Sequence, residues 1–253
     1  WFPEVPETLT GIHGIGFVAQ VPRARLKAFL AETRRDGAPD FALTPAGDRE
    51  NYFVTKFMEP ASRNAAILGF DIGTEPARRS ACERARDTGE TALTSRIILS
   101  QDATHQPGFG ILIPVYRNGV PHRTEAERRE AIHGWMFARF RMRELMKGIL
   151  GKSVPELDLE IFDGEKKSIQ AVLYDGDDHL SSQPKGGVSD FNYSTRPFQR
   201  EHVVEIGGRK WTLHFSSLPE FERANERHES LLVLISGLMM SVLLTIITWV
   251  LAT

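Results

Sequence analysis

The stretch from Leu231 to Ala252, LLVLISGLMMSVLLTIITWVLA, carries no charged residue, and no other segment of the chain approaches it. As a helix it is about 33 Å long at 1.5 Å per residue, close to the thickness of one bilayer core. A helix that is apolar all round does not face water, so a C-terminal transmembrane helix is expected, with everything before it on one side of the membrane. The chain stops as the span ends and begins at Trp1, so the expected layout is that of an ectodomain cut from a longer polypeptide. No basic cluster follows the span to set its direction. The run is too long for a signal-peptide core and sits at the wrong end for one.

The remainder reads as an ordinary globular protein. With 31 basic and 33 acidic residues the formal charge is −2, which argues against a nucleic-acid partner. The length allows one large domain or two small ones. Cys82 is the only cysteine, so no intrachain disulfide forms; that fits a periplasmic domain and leaves the cytosol open. Asn192-Tyr193-Ser194 matches a glycosylation sequon, a short pattern that often arises by chance.

Hydrophobic periodicity predicts two α+β units in series. In the first, strands are expected at Ile12 to Gln20, Phe41 to Thr44, Tyr52 to Met58, Ala92 to Leu99, Gly108 to Tyr116 and Gly134 to Phe140. Arg23 to Arg35 is a helix ending before Gly37, and Asn64 to Phe70 a helical turn. A further helix begins at Thr74-Glu75-Pro76, with Thr74 as cap and proline in the first turn, and stops at Gly89. Its small residues Ala77, Ala81, Cys82 and Ala85 let it lie close on a sheet. A basic, polar connection precedes Gly134. Met142 to Leu150 is a helix closed by Gly151. The second unit has strands at Leu157 to Phe162 and Ile169 to Tyr174, a polar loop from Asp175 to Arg196, and a hairpin of Glu201 to Ile206 with Lys210 to Ser216 around Gly207-Gly208. From Pro219 a charged helix runs into the apolar segment.

Catalytic constellations are scarce. Gly148 to Ser153 resembles the end of a P-loop, but Met146 stands where the first glycine belongs and a helix precedes it; a helix C-cap accounts for it. Gly11, Gly14 and Gly16 lack the dinucleotide spacing. The eight histidines are scattered, with no zinc-type pairing, so no metal site and no cofactor is expected. Asp175, Asp177 and Asp178 lack the calcium-loop pattern and read as a solvated loop. Asp71 stands out, set in the apolar Leu68-Gly69-Phe70-Asp71-Ile72. A carboxylate among apolar neighbours is costly unless bonded. It either braces the following helix or accepts N–H groups of a ligand, and the pattern favours neither.

Several blocks, in order and at matching spacing, carry a resemblance to a known family: Leu68-Gly69-Phe70-Asp71, Pro76 to Gly89, Ala92-Leu93-Thr94-Ser95, Gln101, Gly108-Phe109-Gly110, Pro114-Val115-Tyr116, Leu157 to Asp163 and Gly207 to Phe215. From about Gly14 to Phe221 the chain resembles a CHASE domain, the extracytoplasmic sensor module of cytokinin-receptor kinases and of many bacterial histidine kinases and diguanylate cyclases. The resemblance implies a stalk helix, mostly missing here, and two PAS-like subdomains: a membrane-distal one over 1–140 and a membrane-proximal one over 141–220, with 221–253 forming the connecting and transmembrane helix. It implies a homodimer along the stalk. It also implies that Asp71 and the backbone of Leu93 hydrogen-bond a ligand. The chain departs from the plant pattern at Leu112, near which plant members carry Thr, and at Phe137 and Ala138, where they carry small residues. The expected ligand is thus a small planar molecule, cytokinin-like or other, with an N–H or O–H donor.

These readings combine into an expected α+β sensor ectodomain that is not itself an enzyme, held in the bacterial inner membrane and passing its signal to a missing kinase or cyclase. The expected ligand-binding residues are Asp71, Leu93, Leu112, Phe137, Phe57 and Phe109, in the first unit. The alternatives are a tail-anchored periplasmic hydrolase and a protein-binding domain, the latter marked by a large exposed apolar patch and no enclosed pocket.

Overall fold

A computed structural model describes residues 11–98, 106–151, 157–180, 193 and 196–252, without the side chains of 223–232 and 250–252. Asn192 and Ser194 of the sequon, Gln101, and residues 181–192 and 194–195 of the polar loop lie outside the described residues. The architecture is α+β, with two antiparallel sheets. The first part of the chain runs β1 (Ile12–Pro22), α1 (Leu26–Arg35), β2 (Asn51–Glu59), α2 (Ala61–Asn64), α3 (Pro76–Thr88), β3 (Ala92–Leu93), β4 (Ile97–Ile98), β5 (Pro107–Tyr116), α4 (Glu125–Ala131) and β6 (Ile132–Arg141). Its sheet has the order β2-β1-β6-β5-β3, with β4 also on β5. After α5 (Met142–Leu150) come β7 (Leu157–Asp163), β8 (Val172–Asp175), β9 (Gln199–Ile206) and β10 (Arg209–Ser217), ordered β8-β7-β10-β9.

Alternation along the strands gives the first sheet two apolar faces. On the inner face Val18, Phe53, Leu112, Trp135 and Phe137 pack under α3, whose Ala81, Cys82 and Ala85 are buried against them. The small residues allow this close approach, and the Trp135 indole N–H reaches the Cys82 carbonyl at 2.9 Å. Gly89, at φ 80°, ends the helix in the left-handed conformation. On the outer face Phe17, Ala19, Val21, Tyr52 and Val54 meet Phe41 and the apolar stripe of α1.

The second sheet packs through Leu159, Ile161, Leu173 and Trp211 onto α5 and onto Leu93 and Phe109 of the first. Polar contacts lock the same junction. Leu93 N–H donates to the Gly207 carbonyl at 3.0 Å, Arg96 N–H to Asp163 Oδ2 at 2.7 Å, and Arg96 Nε–H to the Val172 carbonyl at 2.7 Å. Ser217, ending β10, donates its hydroxyl to Glu222 at 2.6 Å, in the first turn of α6 (Pro219–Ala252). From Val233 to Trp249 the α6 side chains are exposed on all sides. Among the described residues no helix is long and apolar enough to cross a membrane.

The structure departs from the sequence expectations at several places. Phe41 to Thr44 is no strand; Thr44 makes an isolated bridge to Phe70. Ala92 to Leu99 is interrupted: β3 and β4 flank Thr94, whose hydroxyl accepts from Gly110 N–H. Ile169 to Ala171 is a 3₁₀ turn capped by Ser168, and the strand runs one residue past Tyr174. Thr74 does not cap α3. It closes a 3₁₀ turn at Ile72–Thr74 that Asp71 caps, and its hydroxyl donates to the Asp71 carbonyl. The basic connection before Gly134 contains α4, started by a full capping box between Thr124 and Glu127.

Gly207 has φ +53°, and a methyl there would meet the Leu93 side chain and approach Leu93 N at 3.0 Å. Gly207→Ala therefore combines left-handed strain with a clash at the junction, and is expected to destabilise the chain by about 2 kcal/mol or more in chemical denaturation. Asp87 ties α3 to α4. Burial alone would raise its pKa, but Arg129 and Arg86 outweigh that and hold it at about 2 against an ordinary 3.8. This stabilisation is present above pH 3.8 and is lost as pH falls toward 2. Melting temperatures across that window should fall more steeply for the parent chain than for Asp87→Asn.

Candidate functional site

The inner face of the first sheet is polar for a core. Arg78 and Arg139 are both 1% exposed. Arg78 pairs with Glu75 at 2.5 Å, yet its Nε has no hydrogen-bond partner. Arg139 donates to the Asn64 side-chain oxygen, and its Nε too lacks a partner. Burial pulls Arg139 down to about 10, with the charges of Arg78 and Arg141 adding to the effect. No carboxylate pairs with Arg139 among the described residues. Asn64 is held in turn by the His13 and Pro60 carbonyls. Gly14 and Gly110 lie on this face, where an added methyl would meet Asn64 and Phe137 respectively.

Asp71 is fully buried at the rim of this interior, where Asp71 itself bridges to Val54 of the edge strand β2. Its Oδ1 accepts from Phe53 N–H at 2.9 Å and Gly73 N–H at 3.0 Å. Oδ2 accepts no hydrogen bond and lies 3.4 Å from Arg49 Nη1. The carboxylate thus ties the edge strand to the turn before α3. Leu112 and Phe137 are fully buried in the same inner cluster. The other expected residues lie elsewhere. Leu93 and Phe109 are in the junction core, Phe109 stacked on Phe140 and edge-on to Trp211. Both backbone polar groups of Leu93 are engaged, its carbonyl by Arg84. Phe57 stacks on Phe17 on the outer face, beside an open groove of about 920 Å³ edged by Arg25, Lys56, Arg117 and Arg129.

The second sheet brings together a group that the sequence keeps apart. Asp158 and Glu160 on β7, Asp175 at the end of β8, and Asp177 and His179 in the following turn converge. Potential ligand atoms of Asp158, Asp175, Asp177 and His179 all lie within 4.8 Å of one another. Arg196 reaches Asp158 at 2.6 Å and Asp177 at 2.5 Å, and the Tyr193 hydroxyl donates to Glu160. Burial pushes Glu160 up to about 7 against the Tyr193 hydrogen bond, and the charges of Asp158 and Asp175 push it further. The solvated-loop expectation fits Asp178, which is exposed and paired with Arg143, but not Asp175, which is buried.

A family model described as the CHASE domain matches residues 4–174. The chain belongs to the CHASE domain family. A relative among curated proteins, "Hybrid signal transduction histidine kinase A" of Dictyostelium discoideum, is 24% identical over 194 residues. That match takes in 72% of this chain, which spans only 9% of the kinase. Solved structures similar to this CHASE domain include the periplasmic sensory domain of the Campylobacter jejuni chemoreceptor Tlp1 (TM-score 0.48, 7% identity, 85% of this chain and 74% of that one). "Methyl-accepting Chemotaxis protein X" aligns at TM-score 0.41 and 12% identity, over 82% of this chain and 74% of that one. An extracellular ligand binding receptor from Desulfohalobium retbaense aligns at TM-score 0.39 and 13% identity, over 78% and 38%. Family membership makes this a sensor-type domain, and it has a relative that is a histidine kinase.

Sequence reasoning missed Arg78 and Arg139, which sit in stretches reading as a surface helix and an ordinary strand. The alternation Trp135-Phe137-Arg139 was the available signal, since it puts the arginine on the face of two buried aromatics. For Asp71, replacement separates its two oxygens. Asp71→Ala leaves two buried N–H groups unbonded and is expected to lower stability by about 3 kcal/mol or more. Asp71→Asn keeps an acceptor in place of Oδ1 and should cost less than half as much in the same denaturant titration.

Proposed function

We propose that this CHASE domain is the extracytoplasmic ligand-sensing part of a membrane receptor. Residues 1–140 form the distal PAS-like subdomain that takes a small molecule, and 141–220 form the proximal relay. In this reading 221–253 carry the signal through the membrane to a kinase or cyclase. The uncharged stretch from Leu231 to Ala252 supports the membrane assignment, as do the apolar side chains exposed on every side of α6. A homodimer would let one ligand bias two such helices together.

The observation that carries the ligand reading is Arg139. A fully buried guanidinium facing a second one, with no carboxylate to meet it among the described residues, is a costly arrangement for packing alone. A ligand with an anionic group beside a flat apolar body would satisfy it, with Leu112 and Phe137 as walls. Asp71 Oδ2 is the remaining acceptor for a ligand N–H. The inner side chains fill this space, so binding requires the covering segment 61–75 to move.

A thermal-shift screen of the whole chain in detergent should separate small carboxylates from their neutral amides. A carboxylate should raise the melting temperature in proportion to the logarithm of its concentration. Arg139→Gln should weaken that binding by at least about tenfold, the scale of a lost charge-assisted bond, without lowering the ligand-free melting temperature. A ligand whose affinity ignores Arg139 and falls only in Asp71→Asn would show that recognition is carried by the carboxylate instead. No shift with any small molecule, or shifts that ignore both variants, would overturn the site.

A further inference from the structure

We propose that Asp158, Asp175, Asp177 and His179 bind one divalent metal cation in the second sheet, with Glu160 behind them. The geometry fits a single ion. Two ligands on opposite sides of one ion stand about 4.2–4.8 Å apart when each bond is about 2.1–2.4 Å. The four candidate ligand atoms lie within 4.8 Å of one another.

A second observation points to a ligand. Asp158 and Glu160 have side chains that are fully buried, and Asp175 is 7% exposed. Yet Asp158 Oδ1, Glu160 Oε1, Asp175 Oδ1 and His179 Nε2 make no hydrogen bond; the imidazole only approaches, with Nε2 3.4 Å from Glu160 Oε1 and Nδ1 3.6 Å from Asp175 Oδ1. Carboxylate oxygens buried without a hydrogen bond lose their hydration with little compensation, and they repel one another. A cation on their open sides removes both costs together.

Among the described residues the surrounding charges do not supply it. Arg196 satisfies Asp158 Oδ2 and Asp177 Oδ2 from one side; Asp158 Oδ1 is left without a hydrogen bond, while Asp177 Oδ1 accepts from the His179 backbone N–H at 3.1 Å and lies 2.7 Å from its Nδ1. Lys167 is engaged with Glu201 and lies over the Tyr193 ring, with His214 beside it. Arg143 is drawn to Asp178. Four carboxylates thus face one guanidinium and one imidazole. A cleft of about 220 Å³, lined by Tyr174, Asp175 and Leu180, opens next to the cluster.

The donor set restricts the ion. Carboxylates suit Mg²⁺, Ca²⁺ and Mn²⁺, whereas imidazole favours zinc and other first-row metals. Mg²⁺ keeps its waters and rarely takes an all-protein cage. Three carboxylates with one imidazole fit Mn²⁺ or Zn²⁺. The position also suits a relay. Arg196, which shares Asp158 and Asp177 with the ion, donates to Ser216 at 2.8 Å, one residue before the Ser217 contact with α6.

The test uses the whole chain in detergent, stripped with chelator and titrated with Mn²⁺, Zn²⁺, Ca²⁺ and Mg²⁺ by calorimetry, melting temperature and elemental analysis. Mn²⁺ or Zn²⁺ should bind one ion per chain and raise the melting temperature by several degrees. Asp175→Asn should weaken binding at least tenfold, as should His179→Gln, while Asp178→Asn stays within about twofold. The metal-free melting temperature of Asp175→Asn, which has no arginine partner to lose among the described residues, should stay level or rise, because it relieves repulsion. Lower metal-free stability with no binding of any cation would mark a hydrogen-bonded network and overturn the proposal. Stoichiometric binding that survives Asp158→Asn and Asp175→Asn together would overturn it as well. Tight Ca²⁺ binding that ignores His179→Gln would remove the imidazole and the metal class assigned to it.

Discussion

The antiparallel pair β5–β6 builds two cores at once. Successive side chains on a strand point to opposite faces. Leu112, Trp135 and Phe137 therefore enter the core under α3, while Phe109, Ile111 and Phe140 enter the core shared with the second sheet. Residues that line the inner face and residues that hold the junction alternate on one backbone. A shift of either strand along its register would disturb both cores, because a one-residue slip exchanges the faces.

The small residues set how closely the layers approach. Ala81, Cys82 and Ala85 let α3 sit against Trp135, close enough for the indole to bond the helix backbone. The left-handed Gly207 lets the β9–β10 turn come up to Leu93, where the two sheets exchange a backbone hydrogen bond. Side chains larger than these would separate the layers and open both contacts.

Against this apolar frame the chain buries charge in two places, with opposite sign. Between α3 and the first sheet Arg78 and Arg139 are both buried, and among the described residues Glu75 pairs with Arg78 while no carboxylate pairs with Arg139. In the second, four carboxylates surround Arg196 and His179. Buried charge is a poor way to stabilise a fold, because lost hydration offsets most of the pairing energy. Two unbalanced groups in a sensory domain are therefore read as places for ligands of opposite charge. The acidic group lies beside the strand that leads into α6, and the basic group lies under the helix that Asp71 sets in place.

Much of the fold was legible in local patterns. Period-two alternation gave most strands, Pro76 and Gly89 bracketed α3, and the apolar run from Leu231 set the final helix apart. The Thr124–Glu127 capping box announced α4 and was overlooked among basic residues. Asp71 was legible as an anomaly, because a lone carboxylate in an apolar stretch must find partners. Its partners were not legible, since Phe53 and Arg49 come from a different strand and loop. Six candidate ligand residues could be named along the chain, yet the faces of the strands sent them to three different cores. The pairing of Asp158 with Asp175 depended on the β7–β8 register, and that of Arg139 with Asn64 on the covering segment. The sequence by itself determined which residues are apolar, where helices begin and end, and which strands alternate, because those follow from neighbours a few positions apart. Only the tertiary structure decided which buried charges meet, because a pairing register and the packing of a helix on a sheet join residues that no local spacing relates.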